Sequence, residues 1–390
     1  MLPKGCVKKI ESLCSRFLWS GQIEVVRGAK VNWHTVCLPK EEGGLGLRKY
    51  TLWNKVLCLR FIWLLFSDSE SLWAAWHKRQ HLNDKSFWSV SQSNADSWTW
   101  KTLLSLRPLA SQFIHGNVGN GLLLSFWFDS WLQGGCLIDL FGEHGPRELG
   151  IPLTATLSDV SNGTAWTLSS PRSDNALQLH IALTSVSPPR ITDVEDSYSW
   201  KINGTVCNGF SSSKTWDAVR PREPPKAWAS TVWYKGAVPK QAFNMWLATL
   251  NRLPTKGRLV SWGLNINPSC DLCNSSVETR DHLFLSCRFS LHMWAEVFSR
   301  LSPRQAPFIT WAELLSWCRL RSPSATPTLK KLVAQVLIYH VWRQRNSVLH
   351  NNTHLLQAET FKLIDRDVRN TITARRKRRK FTNIMALWIR

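Results

Sequence analysis

The chain has 390 residues, with 49 Lys and Arg against 27 Asp and Glu, so its formal net charge is +22. An excess of that size points to a polyanionic partner, of which nucleic acid is the commonest. Hydrophobic residues at 44% and charged residues at 19% exclude a wholly disordered chain. No apolar run reaches the roughly 18 residues a membrane span needs.

Length alone sets an expectation of two or three domains. Residues 1–20 carry Lys4, Lys8, Lys9, Glu11 and Arg16 with no continuous apolar stretch, so no secretory signal is read there and a nuclear or cytoplasmic placement is expected. Helical periodicity runs through Ile10, Leu13, Cys14, Phe17 and Leu18, and again through Leu52, Val56, Leu59, Ile62 and Trp63. The segment Val56 to Phe66 reads as a buried amphipathic helix. Between the two periodic stretches, Gly43, Gly44 and Gly46 demand a turn-rich loop. Residues 1–75 are therefore a helical segment.

Residues 76–220 form an irregular region rich in Trp, of which the chain holds 23. Gly119-Asn120-Gly121 signals a hairpin-type turn, and Leu122 to Phe128 after it suits a buried strand. Residues 158–198 read as connecting loop, and Ser199 to Val206 as a short hairpin with Asn203-Gly204 at its tip. Pro221 to Lys226 is a linker by composition. Pro239 then opens a helix carrying Phe243, Trp246, Leu247 and Leu250, and Thr255 caps a second with Leu259 and Trp262. A stripe at Leu291, Trp294, Phe298 and Leu301 comes next. Beyond a linker at Ser322 to Pro327, a helical pair over 328–374 presents Leu329, Leu332, Val333, Val336, Leu337 and Val341 on one face and Phe361, Ile364, Val368 and Ile372 on another. A basic tail occupies 375–390. The fold class expected is mainly α with small β elements (α+β), comprising a helical front, an irregular Trp-rich middle, a small zinc module over 226–302 and a C-terminal helical pair.

The chemistry concentrates at three of the ten cysteines. Two residues separate Cys270 from Cys273, eight separate Cys273 from His282, and four separate His282 from Cys287. A Cys-x-x-Cys pair turns two thiolates toward one ion, and a later His and Cys close a tetrahedron; zinc suits this mixed sulfur and nitrogen set because it imposes no d-electron geometry. The plain alternative is a chance grouping in an apolar segment, and His292, five residues after Cys287, could replace either late ligand. With four protein ligands the site is closed to water and therefore structural. Cys6, Cys14, Cys37, Cys58, Cys136, Cys207 and Cys318 are scattered and read as small hydrophobes.

Val238 to Trp246, Leu253-Pro254-Thr255, Arg258-Leu259, Cys270-Asp271-Leu272-Cys273, Glu278, His282-Leu283-Phe284, Cys287 and Trp294 together resemble the reverse-transcriptase zinc-binding domain of plant LINE-type non-LTR retrotransposons. That resemblance implies zinc ligation by Cys270, Cys273, His282 and Cys287. Phe17 to Gly21, Lys30 to Trp33, Cys37 to Lys40 and Glu42 to Arg48 are similar to the segment after the polymerase palm of the same elements, and Gly119 to Gly121 with Phe126-Trp127 and Asp129 to Trp131 to their intermediate region.

A polymerase of that family needs paired carboxylates to hold two metal ions, and the sequence contains no Asp-Asp dipeptide. No endonuclease or RNase H set can be placed either. The chain thus reads as a C-terminal remnant of a retroelement reverse transcriptase, not an enzyme, that binds nucleic acid, RNA or a single strand, with no membrane or small-molecule partner. Candidate contacts are Lys240, Arg252, Lys256 and Arg258 beside the zinc module, and the run Arg375, Arg376, Lys377, Arg378, Arg379 and Lys380; the run's plain alternative is a frayed, solvated tail. Trp73, Trp76, Lys78 and Arg79, or Trp342, Arg343 and Arg345, interleave rings with cations as base-stacking surfaces do, although Trp at helical spacing is more often core. Competing readings are a protein-interaction or scaffolding module with structural zinc, and a decayed retroelement reading frame without function.

Overall fold

The computed structural model describes residues 2–25, 28–83, 85–190 and 194–389. Met1, Val26, Arg27, Asp84, residues 191–193 and Arg390 lie outside the described residues, so the tail, the middle and the front are each described without them. The architecture is mainly helical with one three-stranded sheet among the described residues. The chain divides into two compact units, residues 1–12 with 48–221 and residues 13–47 with 222–390. The first helix, α1 (Lys4–Ser20), is helical as its periodicity predicts, and the division between the units falls within it.

The first unit is organised by α2 (Tyr50–Phe66) and α3 (Trp98–Ser105), whose Leu59, Ile62, Trp100 and Leu103 are fully buried. Leu57 and Phe61 of α2 remain partly exposed beside Arg60, so this helix is apolar on most of its circumference and lacks the clean polar face expected of it. Strands β1 (Ile114–Asn117), β2 (Ser197–Ile202) and β3 (Thr205–Cys207) pair antiparallel in that order, with Ile114 opposite Trp200 and Trp200 opposite Cys207. The β2–β3 turn is the expected Asn203-Gly204, both at positive φ, +49° and +77°, as a twist-matched two-residue hairpin requires. Trp200 stacks on Phe113 at 5.1 Å and donates to Thr215 of α4 (Ser212–Val219) at 3.1 Å.

Two further expectations fail in this unit. Leu122 to Phe128 is not a strand; Leu122 and Leu123 are exposed, and the loop instead wraps the Asp196 carboxylate, which accepts the backbone N–H of Gly119, Gly121, Leu123 and Leu124 at 2.6–3.1 Å. A buried carboxylate satisfying four amides substitutes for a sheet ladder, and a side chain so distant in sequence leaves no local periodicity to read. Residues 158–198 are not all loop: Asp174–Leu183 is a helix capped by Ser173, whose hydroxyl accepts the Ala176 N–H, with Ala176, Leu179 and Leu183 buried.

A second buried carboxylate, Asp129, accepts hydrogen bonds from Trp88 Nε1 at 2.9 Å, Tyr198 Oη at 3.1 Å and the Ser125 N–H at 2.8 Å. Burial pushes its carboxyl up to about 6 against an ordinary 3.8, the three donors pulling the other way. Because the folded value is the raised one, the stabilisation is complete below about pH 4 and is lost as pH rises through 6. Relative to Asp129→Asn, which cannot ionise, the native chain should lose about 2 kcal/mol of stability between pH 4 and 7. Urea titrations of both proteins across that range measure it; parallel curves would refute it.

In the second unit the core surrounds α9 (Pro327–Asn351), preceded by α5 (Pro239–Thr249), α6 (Lys256–Ser261), α7 (Arg288–Leu301) and α8 (Trp311–Arg319), and followed by α10 (Gln357–Ala374) and α11 (Ile384–Trp388). Thr326 caps α9 by accepting the Leu329 N–H, and Pro327 takes the first turn, where its missing N–H costs nothing. All six residues of the expected α9 face are buried, as are Ala334 and Ile338, so the helix is enclosed on more than one side. Phe361, Ile364, Val368 and Ile372 of α10 face the same core. The Gly43 to Gly46 loop docks here: Trp246 Nε1 donates to the Gly43 carbonyl at 2.8 Å, and a Cβ on Gly44 would meet the Leu38 carbonyl oxygen, so only glycine fits. No described helix is long and apolar enough to cross a membrane.

Candidate metal centre

The site is assembled from two local devices. The first is a knuckle between Pro268 and Glu278, pinned by Cys270 N–H to the Ser276 carbonyl and Glu278 N–H to the Pro268 carbonyl, both at 2.8 Å. Asn274, at φ +54°, donates its N–H to the Cys270 carbonyl and reverses the chain. That turn aims Cys270 and Cys273 to one side, and the Ser275 hydroxyl donates to Cys273 Sγ at 3.2 Å.

The second device is a π-helical turn, His282–Ser286, closed by the Cys287 N–H on the His282 carbonyl at 2.7 Å. Five residues apart on an α-helix, two side chains diverge by about 140°; the wider i→i+5 turn brings them back into register. This places His282 and Cys287 on one side with four residues between them. Carbonyls freed by the wide turn are satisfied from α7, Ser290 Oγ donating to Leu283 and Trp294 Nε1 to Phe284.

The ligand atoms of Cys270, Cys273, His282 and Cys287 all lie within 4.8 Å of one another. A tetrahedral zinc with ordinary bond lengths separates two thiolates by about 3.8 Å and a thiolate from an imidazole nitrogen by about 3.5 Å. Cys270 Sγ and Cys287 Sγ are 3.9 Å apart, and Cys273 Sγ and His282 Nε2 are 3.3 Å apart, so the cluster is suited to hold a zinc ion. His292 points to solvent on α7 and is outside the group. Burial lowers the His282 imidazole, keeping it neutral and able to ligate at neutral pH. Cys287 is held below the ordinary thiol value by the donating Cys270 thiol and also by the Phe289 N–H at the start of α7, while Cys270 is raised by that same bond and by burial. Cys270 and Cys287 are wholly buried, and Cys273 and His282 are half-buried.

Glu278 ties the knuckle to the core. Its carboxylate, wholly buried, pairs with Arg345 of α9 at 2.7 Å and accepts the Lys256 N–H of α6 at 2.9 Å. Arg345 is 2% exposed and Trp342 8%, so the base-stacking reading of that pair is replaced by a core role; the guanidinium lies 5.0 Å over the Trp342 ring. Trp73 packs on Phe61 and His77, whereas Trp76 is exposed. Spacing alone assigns Glu278 no role and Arg345 the wrong one. An arginine within the apolar stripe of an enclosed helix is the signal that could have found the pair.

Of the cations beside the module, Lys240 and Arg252 are exposed, Lys240 reaching over the Tyr339 ring at 5.0 Å. Lys256 pairs with Asp271, and Arg258 donates to the Asn251 carbonyl and lies over the Trp262 ring at 4.9 Å. The run from Arg375 to Lys380 is not a frayed tail. Arg376 to Lys380 are exposed, but Phe381, Ile384 and Trp388 beyond them are buried in the second unit's core.

Residues 210–294 match the family described as zinc-binding in reverse transcriptase. Over 306 residues the chain is 26% identical to an Arabidopsis thaliana protein named for ribonuclease H, an alignment covering 76% of this chain and 48% of that protein. It is also 25% identical over 133 residues to an uncharacterised mitochondrial protein of Arabidopsis thaliana, covering 34% of this chain and 86% of the relative. The chain thus spans about half the length of the first relative.

Proposed function

We propose that this chain, whose residues 210–294 are a reverse-transcriptase zinc-binding domain, is a zinc-stabilised, basic nucleic-acid-binding part of a retroelement reverse transcriptase. Zinc, held by Cys270, Cys273, His282 and Cys287, fixes the knuckle so that Lys240 and Arg252 meet phosphates while Lys256 and Arg258 brace the scaffold. The observation that carries the reading is a closed metal cluster in a protein of net charge +22. Single strands and RNA are the preferred ligands, since flexible backbones and unpaired bases suit small knuckles. No polymerase chemistry is assigned to the chain, given the missing Asp-Asp pair, and a nuclear or cytoplasmic setting fits the free thiols of all ten cysteines.

Fluorescence anisotropy with a labelled single-stranded RNA tests this. Affinity should fall at least tenfold between 50 and 200 mM salt as counterions are displaced, and K240Q/R252Q should weaken binding severalfold while retaining the metal. An isotherm insensitive to salt would refute the reading.

A further inference from the structure

The chain's acidic residues are unevenly placed: residues 224–270, 314–358 and 368–390 contain no Asp or Glu. Pieces of these three stretches converge in the second unit. Arg319, at the end of α8, donates to the Ala227 carbonyl at 3.2 Å, and Lys331 of α9 to the Ser230 carbonyl at 2.8 Å. Gly236, at φ +105°, lies against the Phe381 ring and the Arg375 side chain so closely that a Cβ there would stand 2.7 Å from the ring. The segment 227–236 is thus a common seat for cations from α8, α9 and the C-terminal run, and adds exposed Lys235 itself.

The run is folded. Arg378 N–H bonds to the Arg375 carbonyl and Phe381 N–H to Arg378, and Phe381, Ile384 and Trp388 anchor the chain beyond it. A protein that reads a cationic peptide in extended form would have to unfold this turn and pull Phe381 from the core. A phosphate backbone needs only the charges in place.

We infer that Arg319, Lys331 and Arg376 to Lys380 form one folded, sequence-independent phosphate-binding surface for a nucleic-acid backbone, separate in sequence from the cations at the zinc module. No ion pair to these side chains is present among the described residues. Lys331 is lowered first by burial and then by neighbouring Lys380 and Arg319, as expected of cations gathered without an acid. The inference rests on the nucleic-acid-binding function proposed for the chain.

The test compares the full-length native chain, R319Q/K331Q and R378Q/R379Q/K380Q for binding to labelled oligouridylate and to a random-sequence DNA duplex over 50–200 mM salt. Each variant should lose about tenfold in affinity at low salt, and the slope of log K against log salt should shrink by about 0.7 for each phosphate contact removed on the single strand. Binding indifferent to R319Q/K331Q but lost in the triple variant would show the run acting alone and overturn the inference. Loss confined to K240Q/R252Q would also overturn it while sustaining the broader function. Native protein that binds neither probe would sink both readings, and intact binding with lost nuclear accumulation in the triple variant would assign the run to an import receptor.

Discussion

Cys273→Ser should empty the metal site and open the knuckle between Pro268 and Glu278, leaving the helical core around α9 folded. Zinc binding to small structural sites is worth roughly 10–16 kcal/mol and appears as folding free energy because no preformed site exists without it. A serine hydroxyl is a far poorer zinc ligand than a thiolate, so most of that energy is lost. Within the knuckle only a few backbone bonds, between Pro268 and Glu278, hold the turn, and Glu278 fixes only one end of it to the core, whereas α7, α9 and α10 share an extensive apolar core. Elemental analysis should give one zinc per native chain and close to none for C273S after dialysis against a chelator. Amide exchange should accelerate at Cys270, Asn274 and Glu278 while the interior of α9 stays protected. Cys318→Ser is the control, because that thiol is buried outside the ligand cluster and pushed up to about 12 by burial; its zinc should remain. A C273S protein that still holds stoichiometric zinc would show the ligand set to be wrong.

How much of the structure is legible in the sequence depends on the range of the interactions concerned. The helical stripes of α7, α9 and α10 and the Asn203-Gly204 hairpin are local patterns, visible within a few residues, and they appear where the spacing puts them. The Cys270 to Cys287 spacing is nearly local and gives the metal cluster, although the π-helical turn that makes a His-x4-Cys spacing workable has no signature in a periodicity search. Long-range polar bonds are illegible. Asp196 organises a loop some 75 residues away, and Arg345 reaches 67 residues back to Glu278. In both cases an exposed-looking charge is recruited to satisfy groups whose burial only the tertiary fold creates. The Arg375 to Lys380 run shows the converse: its composition reads as a tail, yet three apolar residues after it, Phe381, Ile384 and Trp388, too few to stand out in a periodicity search, return the chain to the core.

Arg345→Ala should be the most destabilising single substitution outside the metal ligands. It removes one partner of an ion pair in which neither side chain reaches solvent, leaving Glu278 ionised and buried or forcing it to take a proton; breaking such a pair costs about 3–5 kcal/mol. Further losses come from the Pro254 carbonyl and the Asn346 side chain, both served by the same guanidinium, and from the face of Trp342. Glu278→Gln should cost less, since the amide oxygen still accepts from Lys256 N–H and Arg345 keeps its other acceptors. The double variant E278Q/R345M, nearly matched in volume and carrying no buried charge, should recover much of the R345A loss, because desolvation of two ions offsets most of what their attraction returns. Denaturant titrations of E278Q, R345M and E278Q/R345M close the cycle and yield the coupling directly. The metal supplies a second readout. Glu278 ends the knuckle and holds the first turn of α6, so in R345A zinc should pass to a competing chelator faster than in the native protein, and E278Q/R345M should fall between them. Were R345A to lose stability without any change in zinc release, the pair would be a core strut alone and the knuckle would owe its geometry to its own turn and to the ion.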